Sequence, residues 1–197
     1  MYTNVRSLFT GSKKEELKIL MQNHDVDILG LTKTWGRSDI VDSKLDFPGF
    51  KLYRTDRSAV NNKKVAELLL SVECDDLTSY QCESVWCKIY VNQVDYFIAV
   101  VCYRSPDVDE NEKQQLFDCI KSAKNLNTPL SIMGDFNYPG IEWEQLRAGD
   151  AAVTKFVKLI MDCYLEQHVH SSTRGNNILD LVLTSELEPK GEVIAAS

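Results

Sequence analysis

Apolar residues recur along this chain with two periods. The run VDILGLT (26–32) is short and apolar and fits a buried strand. SVWCKIYV (84–91) alternates, with Val85, Cys87, Ile89 and Val91 on one face and Trp86, Lys88 and Tyr90 on the other. YFIAVVCY (96–103) is apolar on both faces, as a central strand is. LSIM (130–133) reads as a strand, and ILDLVLT (178–184) as another, with one intruder, Asp180. Helical spacing separates these runs. Ser12 with Glu15 has the spacing of a capping box ahead of Leu17, Leu20 and Met21. A helix is expected from about Asp109, burying Leu116, Phe117 and Ile120. Residues 150–164 place Val153, Phe156, Val157, Ile160 and Tyr164 on one helical face. Strands and helices alternate, so the expected class is a layered α/β domain. No linker, repeat or low-complexity segment divides the chain, and DRSAVNNKK (56–64) reads as an exposed loop.

Composition narrows this reading. A chain of 197 residues suits one domain with a substantial core. Its net charge of −7 argues against coating nucleic acid by bulk positive charge, but is compatible with an acidic site that holds a cation. No apolar stretch approaches a membrane span, so no membrane partner is expected. MYTNVRSLFTGSKKEE lacks the apolar core of a signal peptide. Six cysteines are scattered without a CxxC, which favours reduced thiols and an intracellular setting. His24, His168 and His170 accompany no Ser or Cys nucleophile motif and read as surface or structural residues. There is no GxxxxGK[ST] or GxGxxG. The pattern specifies no oligomeric state.

Candidate chemistry lies where strands should end. Asn4 is near the start, Tyr103-Arg104 closes the central strand, and Gly134-Asp135-Phe136-Asn137 follows LSIM. Asp and Asn after a strand are favoured turn formers, so a plain turn is one reading of that stretch. Asp180, inside an apolar run, is costly to bury unless paired, hydrogen-bonded or metal-bound, and Arg174 is a possible structural partner. Carboxylates with a carboxamide and a tyrosine at strand ends suit phosphate chemistry with a hard cation.

Seven segments in order carry a resemblance: NVRSL, VDILGLTKTW, PGFKLYRTDR, ESVWCKIYV, VCYRSP, MGDFNYPGIEW and STRGNNILDLVLTS. Together they resemble the endonuclease domain of non-long-terminal-repeat (long interspersed) retrotransposons, within the endonuclease/exonuclease/phosphatase superfamily. The resemblance implies a four-layer α/β sandwich, two mixed β-sheets flanked by helices. It implies Mg²⁺ as cofactor, DNA as partner and phosphodiester hydrolysis, the nick exposing a 3′-hydroxyl that primes reverse transcription. It also implies residue roles. Asn4 matches the asparagine of the metal pocket, and Tyr103 the tyrosine at the scissile phosphate. Asp135 matches the aspartate that orients or deprotonates water, Asn137 the phosphate-binding asparagine, and Asp180 the acidic residue of the later strand. Thr173 sits where a phosphate-side threonine is common.

The departures carry as much weight. Where the family reads T-E-T-W, this chain has Thr32-Lys33-Thr34-Trp35, so a lysine replaces the main metal ligand. The family's terminal Ser-Asp-His is missing from a chain that stops at GEVIAAS, and its glycine-rich turn is here NNKKVAELLL. The expectation is one domain over residues 1–197, truncated at both ends, with exposed sheet edges and impaired catalysis. The alternatives are a working Mg²⁺-dependent nuclease and a module that binds DNA or protein without cutting. A role like the family's implies a nuclear location.

Overall fold

The computed structural model describes residues 1–35, 40–55, 67–71, 74–76 and 84–185. The expected loop at 56–64, the NNKK turn and the terminal GEVIAAS lie outside the described residues.

The chain opens with β1 (Tyr2–Asn4), α1 (Lys13–Asn23) and β2 (Ile28–Thr32), then a 3-10 turn at Asp42–Leu45 and β3 (Lys51–Thr55). Next come β4 (Glu67–Ser71), β5 (Cys74–Asp76), β6 (Ser84–Tyr90) and β7 (Tyr96–Tyr103). The remainder is α2 (Glu110–Lys124), β8 (Leu130–Asp135), β9 (Ile141–Glu142), β10 (Arg147–Ala148), α3 (Ala151–Asp162), β11 (Glu166–Gln167) and β12 (Asp180–Ser185). One sheet has the order β1-β2-β4-β3 and the other β11-β12-β8-β7-β6-β5, while β9 and β10 form a separate ribbon. Both larger sheets are mixed, because β1 runs parallel to β2 and β7 parallel to β8 while their other pairs are antiparallel.

Three apolar clusters fill the gaps between four layers. Leu17 and Met21 of α1 meet Leu29 and Leu31 of β2, with Leu45 and Phe47 beside them. Val85, Cys87 and Ile89 of β6, with Ala99, Val101 and Met133, face Tyr2, Ile28 and Tyr53 of the first sheet. Ile98, Val100 and Cys102 point to the opposite side of β7, where Leu116 and Ile120 of α2 and Phe156 and Ile160 of α3 cover them. The period-two alternation of strand side chains thus assigns each residue to a layer. This is the expected four-layer sandwich.

Local signals explain the helix ends. Asp109 caps α2 by accepting the Glu112 N–H at 2.8 Å, and Asp150 caps α3 by accepting those of Ala152 and Val153. The capping box expected at Ser12 does not form: the Ser12 hydroxyl is spent on Glu16, and Glu15 pairs with Lys18. Two boundary positions also differ. β6 ends at Tyr90, leaving Val91 exposed, and α3 ends at Asp162, leaving Tyr164 exposed in a left-handed conformation.

Candidate functional site

Register brings the site together. Tyr103 of β7 is the Cα partner of Asp135, the last residue of β8, and Asp135 is also the partner of Asp180, the first residue of β12. Three strands therefore set Tyr103, Asp135 and Asp180 in a row at one end of the second sheet. Asp135 and Asp180 share strand parity with Met133 and Val182, which face the gap between sheets. On the other sheet, Asn4 ends β1 opposite Thr32 at the end of β2, and Lys33 follows. All of these strand ends lie on one side of the sandwich.

Asp135 is the hub. Its side chain is 0% exposed, and its Oδ2 accepts from Asn4 Nδ2 at 2.8 Å, from Arg174 Nη2 at 3.1 Å and from the Lys33 ammonium in a short ion pair. Lys33 Nζ also lies 4.8 Å from the centre of the Tyr103 ring, a cation–π placement. Lys33 adopts a left-handed backbone (φ +54°), an uncommon state for a non-glycine residue. The stretch around Asp135 is a continuing strand rather than a turn as far as Asp135 itself; the chain departs only at Phe136.

Asn137 sits in the left-handed region (φ +49°), which asparagine tolerates better than most residues. Its carboxamide is engaged at both ends: Nδ2 donates to the Arg104 carbonyl at 2.7 Å, and Oδ1 accepts from Arg174 Nη1 at 2.9 Å. Arg104 returns the clamp, donating to the Phe136 and Asn137 carbonyls while stacking on Tyr138. Arg174 therefore partners Asp135 and Asn137, where the sequence suggested Asp180.

Asp180 finds its donor on the other sheet. The Tyr2 hydroxyl donates to Asp180 Oδ1 at 3.0 Å, so the Thr32 hydroxyl, 2.8 Å away, is left to donate to Tyr2. Thr173 Oγ1 accepts the Leu179 and Asp180 N–H groups at 2.9 and 3.1 Å, which fixes the start of β12. Tyr2 and Thr32 were not singled out from the sequence; the only local signal was that Tyr2 shares strand parity with Asn4. His168 meets Thr184 far along β12, in keeping with a structural role.

Burial raises the Asp180 carboxyl above its usual range, Asp135 raises it further, and the hydrogen bonds from Tyr2 and Thr173 and the charge of Arg174 oppose the rise. Burial and the nearby Asp180 hold the Tyr2 phenol well above its ordinary value, so it stays a donor. A carboxyl that ionises less readily folded than unfolded favours the fold below its unfolded pKa. That contribution is lost as pH rises through the folded value. Asp180→Asn should therefore raise the urea midpoint near pH 8 and leave it nearly unchanged near pH 3; an equal shift at both pH values would show that ionisation is not the cause.

A divalent metal can be tested against these groups. Asn4 Oδ1 and Asp135 Oδ1 are buried without a partner, two oxygens of the type a hard cation takes. Against this, Asp135 and Asp180 carry two negative charges and Lys33 and Arg174 two positive ones, so the cluster is neutral without an ion. Among the described residues no group of three His, Cys, Asp or Glu side chains could hold a metal. The residues present do not fit Mg²⁺.

Fold and site together define a four-layer α/β sandwich with a polar cluster where strand ends of its two sheets meet. Residues 97–191 match the family described as endonuclease-reverse transcriptase. The endonuclease domain of TRAS1, a telomere-specific non-LTR retrotransposon, is similar at a TM-score of 0.66 and 17% identity, over 94% of this chain and 83% of that one. An AP endonuclease from Archaeoglobus fulgidus is similar at a TM-score of 0.66 and 12% identity, over 93% and 84% of the two chains. The 3'-5' exonuclease NExo from Neisseria meningitidis gives a TM-score of 0.66 and 14% identity, over 93% and 85%. No curated protein matches by sequence. Three of the seven segments, VCYRSP, MGDFNYPGIEW and STRGNNILDLVLTS, fall within the residues that the family matches, and the similar structures share the fold across nearly the whole chain.

Proposed function

We propose that this chain is a retrotransposon-derived endonuclease domain that engages DNA but cleaves it poorly or not at all, because of Lys33. The carrying observation is the Lys33 ammonium seated on Asp135, at the position where the resemblance implies a metal-binding glutamate. Asp135 Oδ2 is already occupied by Lys33, Arg174 and Asn4, so that oxygen is not free to accept a hydrogen bond from an attacking water. A divalent ion about 4 Å from the ammonium would meet a repulsion of roughly 8 kcal/mol at an effective dielectric near 20. DNA remains the natural partner, given the family match and the fold, and work on chromosomal DNA would place the chain in the nucleus.

The test is nicking of supercoiled plasmid in Mg²⁺ by the parent, Asp135→Asn and Lys33→Glu, each first shown to unfold cooperatively. The parent should nick no faster than Asp135→Asn. Lys33→Glu should gain saturable Mg²⁺ binding by calorimetry. Nicking by the parent that is lost in Asp135→Asn would instead establish a working nuclease. The cluster's neutrality favours a second reading, a DNA-binding module indifferent to metal. Its signature is salt-sensitive binding unchanged by EDTA.

A further inference from the structure

Two loops spring directly from the site. The first follows Asn4 and the second includes Lys33, and they run side by side, zipped by the Val5 N–H on the Thr32 carbonyl, Ser7 on Lys33 and Leu8 on Thr34, at 2.8–3.1 Å. Lys13 Nζ fastens the first loop by donating to the carbonyls of Val5 and Arg6 at 2.6 and 3.0 Å. Thr34 is buried, as are Ser7 and Leu8, so the loops have a fixed base. Their outer side differs. Trp35 is 48% exposed and Phe9 41% exposed, and Arg6, on the first loop shortly before Phe9, is exposed as well.

Backbone conformation sharpens this. Arg6, Ser7, Lys33 and Trp35 all have positive φ, between +43° and +84°. For a bulky residue such as Trp35 that state is an outlier and costs conformational energy. A largely apolar ring left half-exposed on a strained backbone gains little from the fold alone.

We propose that Trp35 and Phe9 form a stacking platform for unpaired nucleobases, with exposed Arg6 on the same pair of loops as the cation that attracts the backbone phosphates. The ligand class is single-stranded or locally unpaired DNA. Aromatic faces accept any base, and adjoining cations follow the strand, the combination used by single-strand binding surfaces. In a duplex the bases already stack on one another, and their faces are closed to Trp35. This inference rests on the DNA reading above and adds the form of DNA selected.

Trp35 also supplies the probe. Of the three tryptophans, Trp86 is 1% exposed and Trp143 is half-buried against the α2–α3 cluster. Quenching by bound bases therefore reports mainly on Trp35. Oligothymidylate of 12 nucleotides and a 12-base-pair duplex would each be titrated into the full chain in EDTA. Oligothymidylate should quench the emission, and by a fluorescein label on the DNA Trp35→Ala should weaken its binding roughly tenfold or more. Trp35→Phe should keep most of the affinity, and duplex binding should change by less than about threefold. Trp35→Gly should bind as poorly as the alanine variant yet unfold at higher urea, because glycine accepts the left-handed backbone.

Equal loss for both DNA forms, or none for oligothymidylate, would overturn the platform while leaving DNA binding in place. Absence of binding to either DNA by cooperatively folded parent would overturn both this inference and the function it rests on.

Discussion

Alanine at Gly134 should leave little folded protein. A Cβ there would lie 2.0 Å from the Cys102 carbonyl oxygen and 2.9 Å from its carbon, and both belong to backbone of the adjacent parallel strand. Neither strand can retreat, since β7 is held by β6 on its far side and β8 by β12. The expected loss exceeds about 4 kcal/mol, beyond ordinary overpacking and a large share of a typical domain's stability. Gly30→Ala is the instructive comparison. Its Cβ would meet Met133 Sδ at 2.6 Å and Val101 Cγ2 at 2.8 Å, across the gap between sheets. The thioether end can swing away, so that loss should be about 1–3 kcal/mol. Urea denaturation followed by far-ultraviolet circular dichroism ranks the two, and similar midpoints would show that β7 and β8 can separate locally.

The second large effect is at Asp135. Removing its carboxylate takes away the ion-pair partner shared by the Lys33 ammonium and the Arg174 guanidinium, leaving Asp180 as the nearby counter-charge and Asn4 Nδ2 without an acceptor. Breaking a buried pair from one side costs about 3–5 kcal/mol, mostly from the charge left behind. Asp135→Ala should fall in that range. Lys33→Met in the same background should recover part of the loss, since it removes the stranded charge and keeps the bulk. The double-mutant cycle should show a coupling of about 1–3 kcal/mol. Strictly additive losses would mean that the ion pair contributes nothing to the fold. Asp135→Asn, which preserves shape and hydrogen bonding, is for this reason the proper control for nicking.

Legibility in the sequence followed the range of the interactions. β7 matched its expected bounds at Tyr96–Tyr103 because an apolar run open to neither face has sharp ends. α2 began beside Asp109 because an N-cap is a local bond. The row Tyr103, Asp135, Asp180 was found through motif order, and register then explained it. The partners were another matter. That Arg174 would clamp Asp135 and Asn137, or that Tyr2 would reach Asp180, depends on how two sheets face each other, which no period along the chain reports. Gly134 looked like a turn former and is a point of close approach; close approach becomes visible only once the neighbouring strand is placed.

The hydrogen bond from Tyr2 to Asp180 spans 178 positions of sequence. During synthesis, Asn4 and Lys33 leave the ribosome long before Arg174 and Asp180, so half of the site must wait for the rest. Until Asp135 emerges, the Lys33 side chain lacks the carboxylate it rests on, and until Asp180 follows, Tyr2 of β1 lacks the acceptor that ties it to the second sheet. Contacts this distant are formed late and slow the folding of the chains that depend on them. A nascent chain stalled before residue 174 would lack both β12 and the Arg174 clamp, and its first strand would be the part most open to a protease.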